Sequence, residues 1–202
     1  FKQGYNGRLS TSTGRDGQGF PLKYQNNGAI GFNGSDNEIV IADTSLLSFG
    51  NGTTDSPFSM SAWINMDDAT DFGIVTKNDT GLGEWRFVTN GTDALQILLS
   101  DVSASAYQWV QTSALTAYEG EWIFVTATYN GIGGTGARNG LSLYVNGIEQ
   151  SVTRSYAGTY VAMENTAYEV RIGTLHHTTY SKGQIANMQI YNRVLTQSEI
   201  KQ

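Results

Sequence analysis

FSMSAWINM, residues 58–66, decides the fold class. Phe58, Met60, Ala62, Ile64 and Met66 fall on one side of an extended chain, with Ser59, Ser61, Trp63 and Asn65 on the other. Successive side chains of a strand point to opposite faces, so this period of two marks a half-buried β-strand. Trp63 is the odd residue on the polar side, and its covering is expected from the N-terminal segment, residues 5–20. Outward from this strand, WIFVTATY at 122–129 begins with Trp122 and Phe124 opposed to Ile123 and Val125. Apolar on both faces, it predicts a strand in the middle of a sheet. In GLSLYVNGIEQSV, Leu141, Leu143 and Val145 alternate up to Asn146-Gly147, the pair best able to take both φ > 0 positions of a type I′ turn.

Short clusters of Val, Ile, Phe, Tyr and Thr bounded by Gly, Asn, Asp and Ser predict further strands at 29–32, 38–42, 72–77, 85–89, 95–99, 107–112, 168–172 and 184–191. That many strands in 202 residues require two stacked antiparallel sheets. The one helix signal comes at the end: Thr196 and Glu199 make a capping box, with Leu195 and Ile200 placed as a hydrophobic staple. No Pro-rich linker or repeat divides the chain, so residues 1–202 read as one all-β domain. Residues 1–28 read as an N-terminal extension packing on the sandwich, and GIGGTGARNG at 131–140 as a flexible loop.

Composition narrows the function. Twelve Lys and Arg against eighteen Asp and Glu leave a net charge of −6, which argues against nucleic acid and anionic membrane surfaces as partners. No apolar run approaches the roughly 20 residues that span a bilayer, so membrane insertion is not expected. The N-terminus lacks an apolar signal core, consistent with a removed leader or with a domain of a longer protein. With no cysteine, a thiol nucleophile and thiolate metal sites are excluded. A Ser-His-Asp triad would have to draw its base from the adjacent His176 and His177. Glycoside hydrolysis on a sheet requires two facing carboxylates, and no E-x-D-x-E pattern is present. Glu119 and Glu121, and the cluster Asp67, Asp68 and Asp71, read as solvated turns. Phosphate-binding glycine motifs ahead of a helix are also missing. The N-x-[ST] sequons at Asn33, Asn51, Asn78 and Asn90 read as turn chemistry.

What remains is aromatic: Trp85, Tyr107, Trp109, Tyr118, Tyr156, Tyr160 and Tyr180 all have polar neighbours. A flat ring with a polar tip suits the apolar face of a sugar, with nearby polar side chains to bond hydroxyls. Trp85, Tyr107, Trp109, Tyr156, His176 and Tyr180 are therefore the candidate ligand-binding residues. The competing reading is that large sheets simply use such rings for packing.

FSMSAWINM, followed by EGEWIFVTATYNG, GLSLYVNGIEQ, EVRIGTL and KGQIANMQIYNRVLTQSEI, resembles the laminin-G-like jelly rolls of the concanavalin A-like lectin/glucanase superfamily. AIGFNGSDNEIVIAD looks like that family's opening strand pair, so the resemblance covers residues 29–200. It implies a jelly roll of two curved antiparallel sheets, with glycan-binding or adhesive roles in secreted bacterial, matrix and phage virion proteins. Two stretches, SFGNGTTDSPFSMSAWINMDDAT and YVAMENTAYEVRIG, look most like the versions in marine phage structural proteins. Family members commonly carry an acidic pair in the last strand that helps hold a structural calcium; here the pair reads Ala186-Asn187. By this resemblance Gly34, Asp36 and Asn187 are the candidate Ca²⁺ ligands, weakened by the missing charge. The catalytic glutamates of the laminarinase-type members have no counterpart, which points away from an enzyme.

The expectation is thus a non-catalytic carbohydrate-binding or adhesion module of a larger secreted or virion protein, located outside the cell or on a virion surface. Its partner would be a glycan or polysaccharide, and weak single sites would favour an oligomer or array. The alternative is a structural virion or surface protein, such as a decoration or fibre component, that uses the jelly roll for protein contacts.

Overall fold

The computed structural model describes residues 28–79, 83–176 and 178–201. One antiparallel sheet has the order β1 (Ile30–Asn33), β15 (Lys182–Tyr191), β3 (Phe58–Met66), β8 (Trp122–Tyr129), β9 (Leu141–Val145) and β10 (Ile148–Glu149). The second has the order β11 (Thr153–Ala157), β7 (Ala106–Ala114), β6 (Ala94–Asp101), β5 (Gly83–Thr89), β4 (Gly73–Asn78), β12 (Val170–Ile172) and β2 (Ile39–Ile41). Among the described residues this makes an all-β sandwich with one short α-helix, α1 (Gln197–Ile200).

The inward face of β3 is as expected, its five apolar side chains having no solvent exposure; on the outer face Ser59 and Ser61 are also buried, and Trp63 is half-buried beside Phe124, ring centroids 5.5 Å apart. β8, apolar on both faces, lies between β3 and β9, as its pattern predicts. Facing side chains from the other sheet complete one core, with Trp85, Phe87, Leu95, Ile97, Leu99 and Val110 buried against it. Phe49 stacks on Phe58 at 4.5 Å inside this layer. Asn146 and Gly147 adopt φ of 49° and 73°, so the hairpin turn is the one the sequence predicts. The capping box at Thr196 and Glu199 also forms, and Leu195 and Ile200 pack with Tyr144 on the outside of the six-stranded sheet.

Four elements escaped the pattern. β11 reads TRSYA, too polar to register as a strand, and it is held at the sheet edge by pairing with β7. The hairpin of β13 (Thr174–His176) and β14 (Thr179–Tyr180) is too short to show periodicity. It sits over β4, where Asn78 Nδ2 donates to the Leu175 carbonyl at 3.3 Å and Ser181 Oγ donates to that of Gly73 at 3.0 Å. Residues 131–140, expected to be a flexible loop, instead contain a 3₁₀ helix over Gly134–Gly140. Ala137 is buried there, and Arg138 donates to Gln108 Oε1 at 2.9 Å.

Candidate binding surface

Pleating sorts the residues of β5, β6 and β7 between two faces. Trp85, Phe87, Leu95, Ile97, Leu99 and Val110 point into the core, which leaves Arg86, Gln96, Leu98, Tyr107, Trp109 and Gln111 on the outer face. The register aligns them in rows across the strands. Arg86 is paired with Leu98, and Leu98 with Trp109; in the neighbouring row Gln96 is paired with Gln111. Together with Ala157 of β11 these side chains line a depression of about 400 Å³.

Within it, Gln96 Nε2 donates to Gln111 Oε1 at 3.3 Å and Asn90 Nδ2 donates to the same oxygen at 3.2 Å. These bonds fix both glutamines and leave Gln96 Oε1 and Gln111 Nε2 for a ligand. Arg86 is half-buried at the centre of the sheet, and desolvation pulls its pKa below the usual guanidinium value, opposed by the nearby Tyr107 phenol. An arginine still carries its charge there. No carboxylate lines the depression among the described residues. The surface thus combines two aromatic rings, one cation and two primary amides, a set suited to binding and devoid of a general acid-base pair.

Of the expected ligand-binding residues, the structure brings Tyr107 and Trp109 together and disperses the rest. Trp85 is a correction: it has no exposure, lies in the core opposite Leu99, and its Nε1 donates to the Leu47 carbonyl at 3.0 Å. Of its polar sequence neighbours, Arg86 points to the opposite face, while Glu84 sits at a bulge and is taken up by Lys77. Tyr156 pairs with Gln108, an inward position, so it faces away from the depression; the Arg138 guanidinium covers its ring at 4.5 Å. His176, with Nδ1 3.2 Å from Asn78 Nδ2, and the half-buried Tyr180 belong to the hairpin over β4 and do not line the depression. His177 lies outside the described residues. Tyr118 is exposed on a 3₁₀ turn, and Tyr160 is buried with its hydroxyl donating to Asp55. Sequence reasoning missed Arg86, Gln96, Leu98 and Gln111. The signal for Arg86 was present, a charge set between the aromatic residues Trp85 and Phe87.

The expected calcium ligands do not converge, a further correction. Asn33 pairs with Lys182, and the Gly34 amide donates to Ser181, so Gly34 and Asp36 sit at one end of β15. Asn187 lies five positions beyond Lys182, roughly 15 Å along an extended strand, at a bulge where it adopts φ of 49°. Asp36 Oδ1 is already occupied, accepting from Asn33 Nδ2 at 2.7 Å and Asn37 Nδ2 at 3.2 Å. Asn187 instead lines a second depression, of about 260 Å³, with Trp63, Phe124, Gln189, Tyr191, Glu199 and Ile200 on the six-stranded sheet. The expected cover for Trp63, residues 5–20, lies outside the described residues. Among those described, no three His, Asp or Glu side chains cluster as metal ligands.

A six-stranded and a seven-stranded antiparallel sheet around one core, with a small hairpin over the second, define a two-sheet β-sandwich. A family model described as the concanavalin A-like lectin/glucanases superfamily matches residues 33–201, and the chain belongs to that family. No curated protein matches the sequence. Among solved structures, the chain is similar to the binding domain of botulinum neurotoxin serotype G, with 16% identity and a TM-score of 0.59 over 89% of this chain and 42% of that one. It is also similar to the binding domain of serotype D, at 17% identity and a TM-score of 0.61 over the same shares. The chain spans about two fifths of the length of these neighbours, and at such identity the likeness concerns the fold.

Proposed function

We propose that this chain is a non-catalytic binding module whose ligand is a glycan, carried by a larger secreted or virion protein and exposed outside the cell or on the virion surface. One observation carries the reading: Tyr107 and Trp109 share an open depression with Gln96, Gln111 and Arg86 and with no described carboxylate. Rings supply apolar faces for a sugar, and amides and guanidinium supply hydrogen bonds to its substituents. The superfamily, which includes lectins, and neighbours that are toxin binding domains agree with this role.

The protein-contact alternative draws on Ile132 and Val161, which are 55% and 47% exposed on loops joined by the Gly134 amide and the Val161 carbonyl. A glycan array probed with the multivalently displayed chain separates the two. Binding to a coherent sugar set that is lost in Trp109→Ala supports the glycan module. A blank array, with the fold verified by circular dichroism, favours protein contact.

A further inference from the structure

The other described arginines are all engaged. Arg138 donates to Gln108 and to the Thr135 carbonyl, and Arg154 to the carbonyls of Arg138 and Leu141. Arg171 pairs with Glu38 and Glu169, and Arg193 with Glu199. Arg86 alone among the described arginines has neither an acceptor nor an acidic partner. It is also the one placed in the middle of a sheet, with β4 and β6 on either side and Leu98 and Thr76 at the paired positions. A guanidinium half-withdrawn from water without an acceptor is a cost that packing does not explain, since an aliphatic side chain would cover the same surface. Its donors are left to something beyond the described residues.

The surroundings define that partner. Arg86, Leu98 and Trp109 stand on three adjacent strands, so the cation and the indole are about 10 Å apart at the backbone. A ligand that fills the row presents an apolar ring face to Trp109 and an anionic group to Arg86. The fork of guanidinium donors matches the two oxygens of a carboxylate in one plane. Gln96 and Gln111 beside the row leave an amide oxygen and an amide nitrogen for hydroxyls. With a net charge of −6 the chain has no basic field for a polyanion, so the ligand charge is read at one point, Arg86.

Resting on the glycan-module reading, we infer that the ligand of this depression is an acidic sugar, a uronic-acid-type residue whose carboxylate is held by Arg86 while its ring lies on Trp109. A sulfate ester offers related oxygen acceptors, and the test distinguishes it.

The whole chain is titrated with matched oligosaccharide pairs: oligogalacturonate, oligoglucuronate and oligoguluronate, each against its carboxyl-reduced neutral counterpart, plus a sulfated galactan oligomer. At least one acidic oligomer is expected to bind ten-fold or more tightly than its reduced form. Arg86→Gln should erase that preference, bringing the acidic oligomer down to the affinity of its reduced form with the circular dichroism spectrum unchanged, and Arg86→Lys should restore part of it. Equal binding of acidic and reduced forms, insensitive to Arg86→Gln, overturns the inference and leaves the glycan module standing. Binding of the sulfated oligomer alone overturns the carboxylate assignment. If none of these oligomers binds but other glycans do, the acidic-sugar assignment fails by itself; if no glycan binds at all, the module reading falls with it.

Discussion

Lys77 and Glu84 form an ion pair of 3.0 Å in which neither side chain has any solvent exposure. Lys77 Nζ also donates to Asp43 Oδ1 and Ser48 Oγ, each at 2.7 Å, and Glu84 Oε1 accepts from the Thr166 amide at 2.8 Å. The pair therefore ties β4 and β5 to the segments around residues 43–48 and 166. Removing one buried charge leaves the other uncompensated, whereas removing both leaves a neutral contact and only the partly exposed Asp43 without its partner. Lys77→Met should cost about 3–5 kcal/mol in urea unfolding. The double variant Lys77→Met/Glu84→Gln should be clearly more stable than the single one, and a double variant no better than Lys77→Met would show that the pair is not coupled.

Asp55 links the segment around residue 160 to β8 through one carboxylate. Oδ2 accepts from Tyr129 and Tyr160 hydroxyls at 2.7 and 2.8 Å, and Oδ1 from the Met163 amide at 2.8 Å. Burial nevertheless raises its pKa above 3.8, outweighing the lowering by these three donors. A folded-state pKa above the unfolded one means that the folded chain holds its proton longer. This group's contribution is thus fully present below the unfolded pKa and declines as pH rises through the folded one. The stability difference between the parent chain and Asp55→Asn should fall as pH is raised from 3.8, measured by chemical denaturation at each pH. A difference that grows with pH would show that the hydrogen bonds outweigh desolvation.

Trp85 and Trp109 separate packing from binding. Trp85 is fully buried, so Trp85→Ala should cost about 3–5 kcal/mol. Trp109 stands half-buried on the outer face, where truncation should leave the melting temperature within a few degrees and remove ligand affinity. Melting curves beside glycan titrations check both, and a Trp109→Ala variant that keeps full affinity would remove the depression from consideration as the site.

How legible each part was follows from these same residues. Alternation in FSMSAWINM placed β3 because a buried face leaves a period of two in the sequence, and Asn146-Gly147 placed a turn because few pairs accept two positive φ values. Register carries no such mark. Trp85 and Trp109 both follow a polar residue, and only the pairing of β5, β6 and β7 shows that one is core and the other surface. Gly34, Asp36 and Asn187 were grouped by family likeness, but the β1–β15 register and the bulge at Asn187 separate them. Arg86 was visible as a charge between two aromatic residues, yet its lack of an acceptor exists only in three dimensions.

Gly173 joins β12 to β13 at the point where the chain leaves the seven-stranded sheet to fold over it. Its φ is +85°, and a Cβ there would lie 2.0 Å from Cε1 of Phe32, a buried ring on β1. Gly173→Ala must therefore adopt a left-handed conformation and displace Phe32, at roughly 1–2 kcal/mol for the backbone and roughly 1–3 kcal/mol for overpacking. Gly120 provides the control, because its φ is +75° and no atom lies within 4 Å of an added Cβ. Gly120→Ala should show the backbone cost alone. Urea unfolding of the two variants reads the steric share as their difference, and equal losses would mean that Phe32 yields to the methyl group without resistance.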